Sequence, residues 1–215
     1  MLTITEANLP KTGRHGPART DALAATLPAT LSPHVSDDAL ILGIARGDRR
    51  AMEVLYSRHR VRVYRFSLRI TGNTALAEDI VSEVFFDVWR QADGFKSNSQ
   101  VSTWLLAITR NKALSGLRRH VDQPLEDDKV AMIEDLADDP EVVVQNKERS
   151  AIMQKCLSQL SAAQREVLDL VYYHEKKVEE VAQIIGVPAS TVKTRMFYAR
   201  RRMGELLEGA GYSRH

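Results

Sequence analysis

One cysteine, Cys156, stands in 215 residues, so an internal disulfide is excluded and no thiol pair has metal-ligand spacing. Cys156 reads as a small hydrophobe on a helix. The six histidines, His15, His34, His59, His120, His174 and His215, are scattered with no pair at ligand distance along the chain. A glycine-rich phosphate loop, a nucleophile elbow and carboxylates clustered in an apolar setting are all missing. The expectation is no metal, no cofactor and no enzymatic activity. Apolar runs are short: none approaches the roughly 20 residues that span a bilayer. The first residues also lack the charged start and apolar core of a secretory leader. A cytoplasmic protein without membrane insertion is expected. Aromatics make up only 6% of the chain while Leu, Ala, Val and Arg are abundant, a composition that favours helices over sheets.

An apolar share of 44% with 27% charged residues describes a soluble globular chain long enough for one or two domains. The net charge of +2 conceals a segregated pattern. Residues 37–120 hold 14 Lys and Arg against 9 Asp and Glu, and 151–215 hold 10 against 7. Between them, 121–150 hold 10 acidic against 3 basic residues, a local net of -7. Two basic blocks on an acidic tether suggest two nucleic-acid-facing domains held flexibly apart; a loop made acidic merely for solubility is the alternative.

Residues 1–36, rich in Pro, Thr, Ala and Gly without periodicity, read as a disordered arm. Ser36 with Asp37 and Asp38 is a helix start, the carboxylates lying at the positive end of the helix dipole. Asp48 caps a longer helix from Arg49 to about Ile70, whose core face is Met52, Leu55, His59, Val63, Phe66 and Ile70. Its His59 is expected as a satisfied packing histidine. After Gly72 and Asn73, a helix from Ala75 to about Gln91 carries a core stripe of Ala77, Ile80, Val81, Val84 and Val88. Another face of it presents Asp79, Ser82, Glu83, Phe86 and Arg90, a mixture suited to a partner. A polar loop over 92–102 leads to a helix from Ser102 or Thr103 to about Arg119, with Arg110, Asn111, Lys112, Arg118 and Arg119 on its polar side. Ser161 and Gln164 form a capping box ahead of a short packing helix, and 209–215 form a fraying tail.

Val178 to Arg202 has the layout of a helix-turn-helix: Ala182 as a small contact residue, Gly186 as a turn residue at positive φ, Val192 as a buried branched residue. Pro188 opens the second helix, where its missing N–H costs nothing. That helix carries Lys193, Arg195, Arg200, Arg201 and Arg202 among hydroxyl and aromatic side chains, as a helix entering a major groove requires. An ordinary helical hairpin with a solvated basic face shares the charge but not all these residues in register, so the segment reads as DNA-binding.

Three blocks in order carry a family likeness: Ala77-Glu78-Asp79 through Phe85 and Trp89; Ser102-Thr103-Trp104-Leu105 through Arg110-Asn111 to Leu117-Arg118-Arg119; and Leu160 to Met203. Over roughly Asp37 to Leu207 the chain resembles the extracytoplasmic-function (ECF) sigma factors, the two-domain bacterial factors that lend promoter specificity to RNA polymerase. The resemblance implies an all-α fold of two small helical domains on a flexible acidic linker: a region 2 domain over 37–120, a linker over 121–150 and a region 4 helix-turn-helix domain over 151–208. It implies core RNA polymerase, promoter DNA and an anti-sigma factor as partners. Core polymerase contacts fall by resemblance on Asp79, Ser82, Glu83, Phe85, Phe86 and Trp89, where Phe85 and Trp89 could equally be packing residues. Ser82 departs from the family's usual glutamine. The -10 element falls to Phe95, Lys96, Ser97, Asn98 and Ser99 with Arg110, Asn111, Lys112, Arg118 and Arg119, Phe95 being either a stacking surface or a loop anchor. The -35 element falls to Lys193, Phe197 and Tyr198 as base readers and to Ser190, Thr191, Thr194, Arg195, Arg200 and Arg201 along the backbone, while Met196, Ala199 and Met203 pack inward. The family commonly has arginine near Tyr198, where this chain has an aromatic. A stand-alone helix-turn-helix regulator is the competing class, and it has no need of the Asp79 to Arg90 face or of a melting loop.

Overall fold

The computed structural model describes residues 35–96, 98–120 and 150–212, and every regular element among them is helical. The N-terminal arm up to residue 34, Ser97, the linker residues 121–149 and the last three residues of the tail lie outside the described residues. Helix α1 (Asp37–Ala45) starts where Ser36 accepts a hydrogen bond from the Ala39 amide. Helix α2 (Arg49–Thr71) starts where Asp48 accepts from the Arg50 and Ala51 amides. Each cap satisfies donors that the first helical turn leaves without partners. Helix α3 (Thr74–Gln91) begins under the Asn73 side chain and runs into a 3-10 turn at Ala92–Gly94; α4 spans Val101–His120. A Cβ on Gly43 would sit 3.0 Å from the Ala51 Cβ, so the absent side chain is what lets α1 and α2 meet closely.

These four helices enclose a core of Leu40, Ile44, Leu55, Val63, Ile80, Val84, Val88 and Leu105. Each such side chain, fully buried, stabilises the fold by about 1.5–3 kcal/mol over exposure. The stripe read from α3 is this core: Ala77, Ile80, Val81, Val84 and Val88 are all buried.

A helical segment over 150–158, α5, precedes α6 (Ala162–Leu168), whose capping box joins Ser161 and Gln164 in both directions. The chain then widens into a π-helical turn at Asp169–Tyr173, which the sequence did not announce. Helix α7 (Val178–Ile185) ends at Gly186 with φ 69° and ψ 39°, and α8 (Ala189–Gly209) follows Pro188. Val167, Leu170, Val181, Ile184, Ile185, Val192, Met196 and Ala199 form a second core. Phe66 of α2 and Leu106 of α4 belong to that same cluster. The expected all-α fold of two helical regions is what the described residues show, with α7 of the second packed along α4 of the first; the linker expected to tether them lies outside the described residues.

Candidate nucleic-acid interface

Helix α8 divides cleanly between core and solvent. Val192 and Ala199 are fully buried and Met196 nearly so, while Met203 is partly buried against the same cluster. Rotated away from them, Lys193 and Thr194 are exposed, and Phe197 and Tyr198 stand 62% and 54% exposed in edge-on contact. Large aromatics kept in water on a helix whose other side anchors the fold are costly unless a partner covers them. Ser190 is exposed at the helix start and its carbonyl accepts the Thr194 hydroxyl at 3.0 Å; Thr191 and Arg195 are half-buried. Arg200 Nε donates to the Tyr172 hydroxyl at 2.8 Å while its guanidinium lies over the same ring. Arg201 and Arg202 both reach Glu205 at 3.2 Å, and their hydrogen bonds, that of Arg202 foremost, draw the Glu205 carboxyl below its usual range.

On α3 the outer face carries exposed Asp79, Ser82, Phe86 and Trp89, with Phe86 60% exposed beneath the Arg90 guanidinium. Phe85 turns the other way: it is 4% exposed and meets Tyr56 edge-on, which makes it a core residue and decides that alternative in favour of packing. Trp89 remains available to a partner at 37% exposure. Glu83 is drawn toward α4, where Lys112 Nζ lies 3.2 Å from it and 2.8 Å from Asp87. The bond to Asp87, helped by Glu83 and opposed by burial, holds the Lys112 ammonium above its ordinary pKa. Lys112 is thus clasped between two carboxylates.

Phe95 closes against Trp104 with ring centroids 5.0 Å apart and packs on the first core, so it anchors its loop. Lys96 and Asn98 are exposed and Ser99 is half-buried beside it, whereas Ser97 is outside the described residues. Along α4, Asn111 and Arg119 face solvent, and Arg118 donates to the Ser115 hydroxyl at 3.0 Å. Arg110 grips Glu166 of α6 through Nε at 2.6 Å and through a terminal nitrogen at 3.3 Å.

The residues that sequence reasoning missed lie in this contact between α4 and the C-terminal helices. Thr103 donates to Glu180 at 2.6 Å, and Lys176 donates to Ser102 at 2.6 Å, to Glu180 at 3.2 Å and to Gln100 at 3.3 Å. Burial pushes the Lys176 ammonium below its ordinary pKa. Burial alone would raise Glu180, yet the bonds from Thr103, the Lys177 amide and Lys176 outweigh it and bring that carboxyl below the usual range. Nearby, Arg69 reaches Asp169 in the π-helical turn at 3.1 Å, Arg65 bonds the Tyr173 hydroxyl, and Phe66 meets His174 edge-on. An aspartate inside the apolar run Val167 to Val171 was the one cue to a buried polar contact here.

No helix among the described residues is long and apolar enough to cross a membrane. Two family profiles match in order, Sigma-70 region 2 over residues 55–122 and Sigma-70, region 4 over 150–203. The chain is 30% identical over 184 residues to the ECF RNA polymerase sigma factor SigK of Mycobacterium ulcerans, covering 83% of this chain and 98% of that one. It is 30% identical to SigW of Bacillus subtilis over 76% of this chain and 92% of that one. Among solved structures, RpoE of Bartonella quintana, crystallised with the anti-sigma factor NepR, aligns with TM-score 0.59 at 25% identity over 73% of this chain and 96% of that one. CnrH, in complex with the cytosolic domain of CnrY, shares the fold with TM-score 0.59 at 22% identity over 80% of this chain and 97% of that one. With both regions matched in sequence and relatives aligned along nearly their full length, the chain belongs to the ECF family of RNA polymerase sigma factors.

Proposed function

We propose that this sigma factor divides promoter-directed initiation among three surfaces. The α3 face of Asp79, Ser82, Phe86 and Trp89 holds core RNA polymerase. The loop of Lys96, Asn98 and Ser99 with Arg110, Asn111, Arg118 and Arg119 engages the melted -10 element, and Lys193, Phe197 and Tyr198 of α8 read the -35 duplex. The corresponding division of the chain is an arm over 1–36, a region 2 domain over 37–120, a linker over 121–150, a region 4 domain over 151–208 and a tail over 209–215. The observation that carries this reading is the two-sidedness of α8, with Val192, Met196 and Ala199 buried and Lys193, Phe197 and Tyr198 in solvent. A groove-entering helix needs an anchored back and a free front.

The chain acts by binding and needs no covalent chemistry of its own, in the cytoplasm, where polymerase is found. Its relative from Bartonella quintana was solved with an anti-sigma factor. By that likeness a protein inhibitor restrains this chain until a stress releases it. A stand-alone regulator is not favoured, because the region 2 match would then have no use.

Transcription reconstituted from core polymerase and the purified chain tests the reading. Lys193→Ala lowers use of a promoter's upstream element about ten-fold, the equivalent of about 1.4 kcal/mol, with core binding intact. Asp79→Arg impairs core binding and leaves duplex binding by the chain in place. Start-site selection that never appears with core, or loss of core binding in the Lys193 variant, counts against it.

A further inference from the structure

Helix α3 carries a row of carboxylates, Asp79, Glu83 and Asp87, each about one turn from the next. Like charges at this spacing on a helix repel, so Glu83 and Asp87 left to themselves would turn away from one another. Lys112 of α4 holds them together, its Nζ 2.8 Å from Asp87 Oδ2 and 3.2 Å from Glu83 Oε2. Cover falls away along these three groups: the Asp87 side chain is 19% exposed, that of Lys112 27% and that of Glu83 44%. The shorter bond is the inner one, and it fixes the ammonium that tethers the outer carboxylate. No other donor meets Glu83 among the described residues. An ionised carboxylate has room for about four donors, so Glu83 can take a further one without giving up Lys112. On α3 its neighbours Ser82 and Phe86 stand in solvent, with Asp79 exposed one turn back.

We propose that Lys112 is a positioning residue of the polymerase-binding face: anchored on Asp87, it holds the Glu83 carboxylate beside Ser82 and Phe86, where that carboxylate takes a guanidinium or ammonium group of core polymerase. This role rests on the outer α3 face being the polymerase surface, and it brings in a residue of α4 that acts without itself touching polymerase. An untethered glutamate must be ordered at the moment of contact, and the tie to Lys112 removes that cost beforehand. The sign of the effect separates this role from plain charge. A cation on the face repels a cationic partner, so if charge alone mattered, removing Lys112 would tighten the complex. Positioning requires that its removal weaken the complex.

Titration of the fluorescently labelled full chain with core polymerase, at a salt concentration near about 0.15 M, reads this sign. Lys112→Met keeps much of the aliphatic stem and removes the ammonium. Core affinity is expected to fall about three- to ten-fold, the scale of one immobilised side chain at an interface. Lys112→Arg, whose fork can reach both carboxylates, should restore most of the loss. Glu83→Gln should weaken core binding by itself, and in that background Lys112→Met should cost less than about two-fold more, because the lysine acts through Glu83. Lys112→Gln serves in its place if Lys112→Met does not fold. Core binding that is unchanged or tighter without the ammonium overturns the positioning role. So does a loss just as large in the Glu83→Gln background, since Lys112 would then act by holding α4 to α3 or by its own contact. If Asp79→Arg and Phe86→Ala also leave core binding untouched, the polymerase face itself is misassigned; if both weaken it while Lys112→Met does not, only the positioning role falls.

Discussion

The same substitution made at two glycines, one in the turn before α8 and one within α8, should change stability in opposite directions. Gly186 lies at φ 69° and ψ 39° where α7 hands over to α8, and a Cβ there would meet nothing within 4 Å. Gly186→Ala therefore introduces no clash, and its whole cost is conformational. Placing an L residue in the left-handed region costs about 1–2 kcal/mol, which a gain of about 0.4–1 kcal/mol from the stiffer unfolded chain offsets in part. The net expectation is a loss of about 1 kcal/mol, and Gly186→Asn, which tolerates this region better, should recover part of it. Gly204, inside α8, also has open space around it but ordinary helical backbone. There Ala should stabilise by about 0.5–1 kcal/mol. For a cooperative unit of this size 1 kcal/mol moves Tm by about 2–4 °C, so the two variants should melt on either side of wild type, about 3–8 °C apart. Thermal melts followed by circular dichroism measure this directly. A Gly186→Ala variant as stable as Gly204→Ala would refute the left-handed turn, and with it the angle at which α8 leaves α7.

Burial, partly countered by Asp37, lowers the His59 pKa, so in the window below about 6.5 the unfolded chain binds more protons than the folded one. Stability should fall as pH drops through that window, and His59→Gln should flatten the difference between urea melts at about pH 7.5 and 5.5; an unchanged difference would place its origin elsewhere. Tyr172→Phe removes the acceptor for Arg200 but keeps the ring beneath it, whereas Tyr172→Ala removes both. Binding to duplex DNA should weaken no more than about two-fold in the first and about three- to five-fold in the second, the scale of an exposed contact of 0.5–1 kcal/mol. Because Phe95 packs on Trp104, Phe95→Leu should keep promoter opening near wild type while Phe95→Ala lowers both stability and opening. If Phe95→Leu abolishes opening at full stability, the ring stacks on a base after all.

Local rules carried the sequence reading far. The caps at Ser36, Asp48 and Ser161, the stripe of Ala77 to Val88 and the inward set of Val192, Met196 and Ala199 were all legible, because each depends on spacing within one helix. What escaped depends on pairs far apart in the chain. Arg110 reads as a nucleic-acid contact on its own helix, and nothing local announces its bond to Glu166, 56 positions on. Lys112 likewise looks free until α3 supplies Glu83 and Asp87. Phe85 and Phe86 are adjacent aromatics, and one belongs to the core and the other to solvent by a single step around α3. The π-helical turn at Asp169–Tyr173 was not legible either, and the partner its Asp169 meets, Arg69, lies a hundred positions earlier in the chain.

Phe66 and Leu106 lend two N-terminal side chains to the C-terminal core. Any departure of α6–α8 from α2 and α4 wets both of them. Hydrating apolar surface raises heat capacity by about 0.45 cal/K/mol for each Å² exposed, so the free energy of docking is curved in temperature. Chilling then loosens the embrace just as warming does, and the chain is most firmly folded upon itself in the temperate range between.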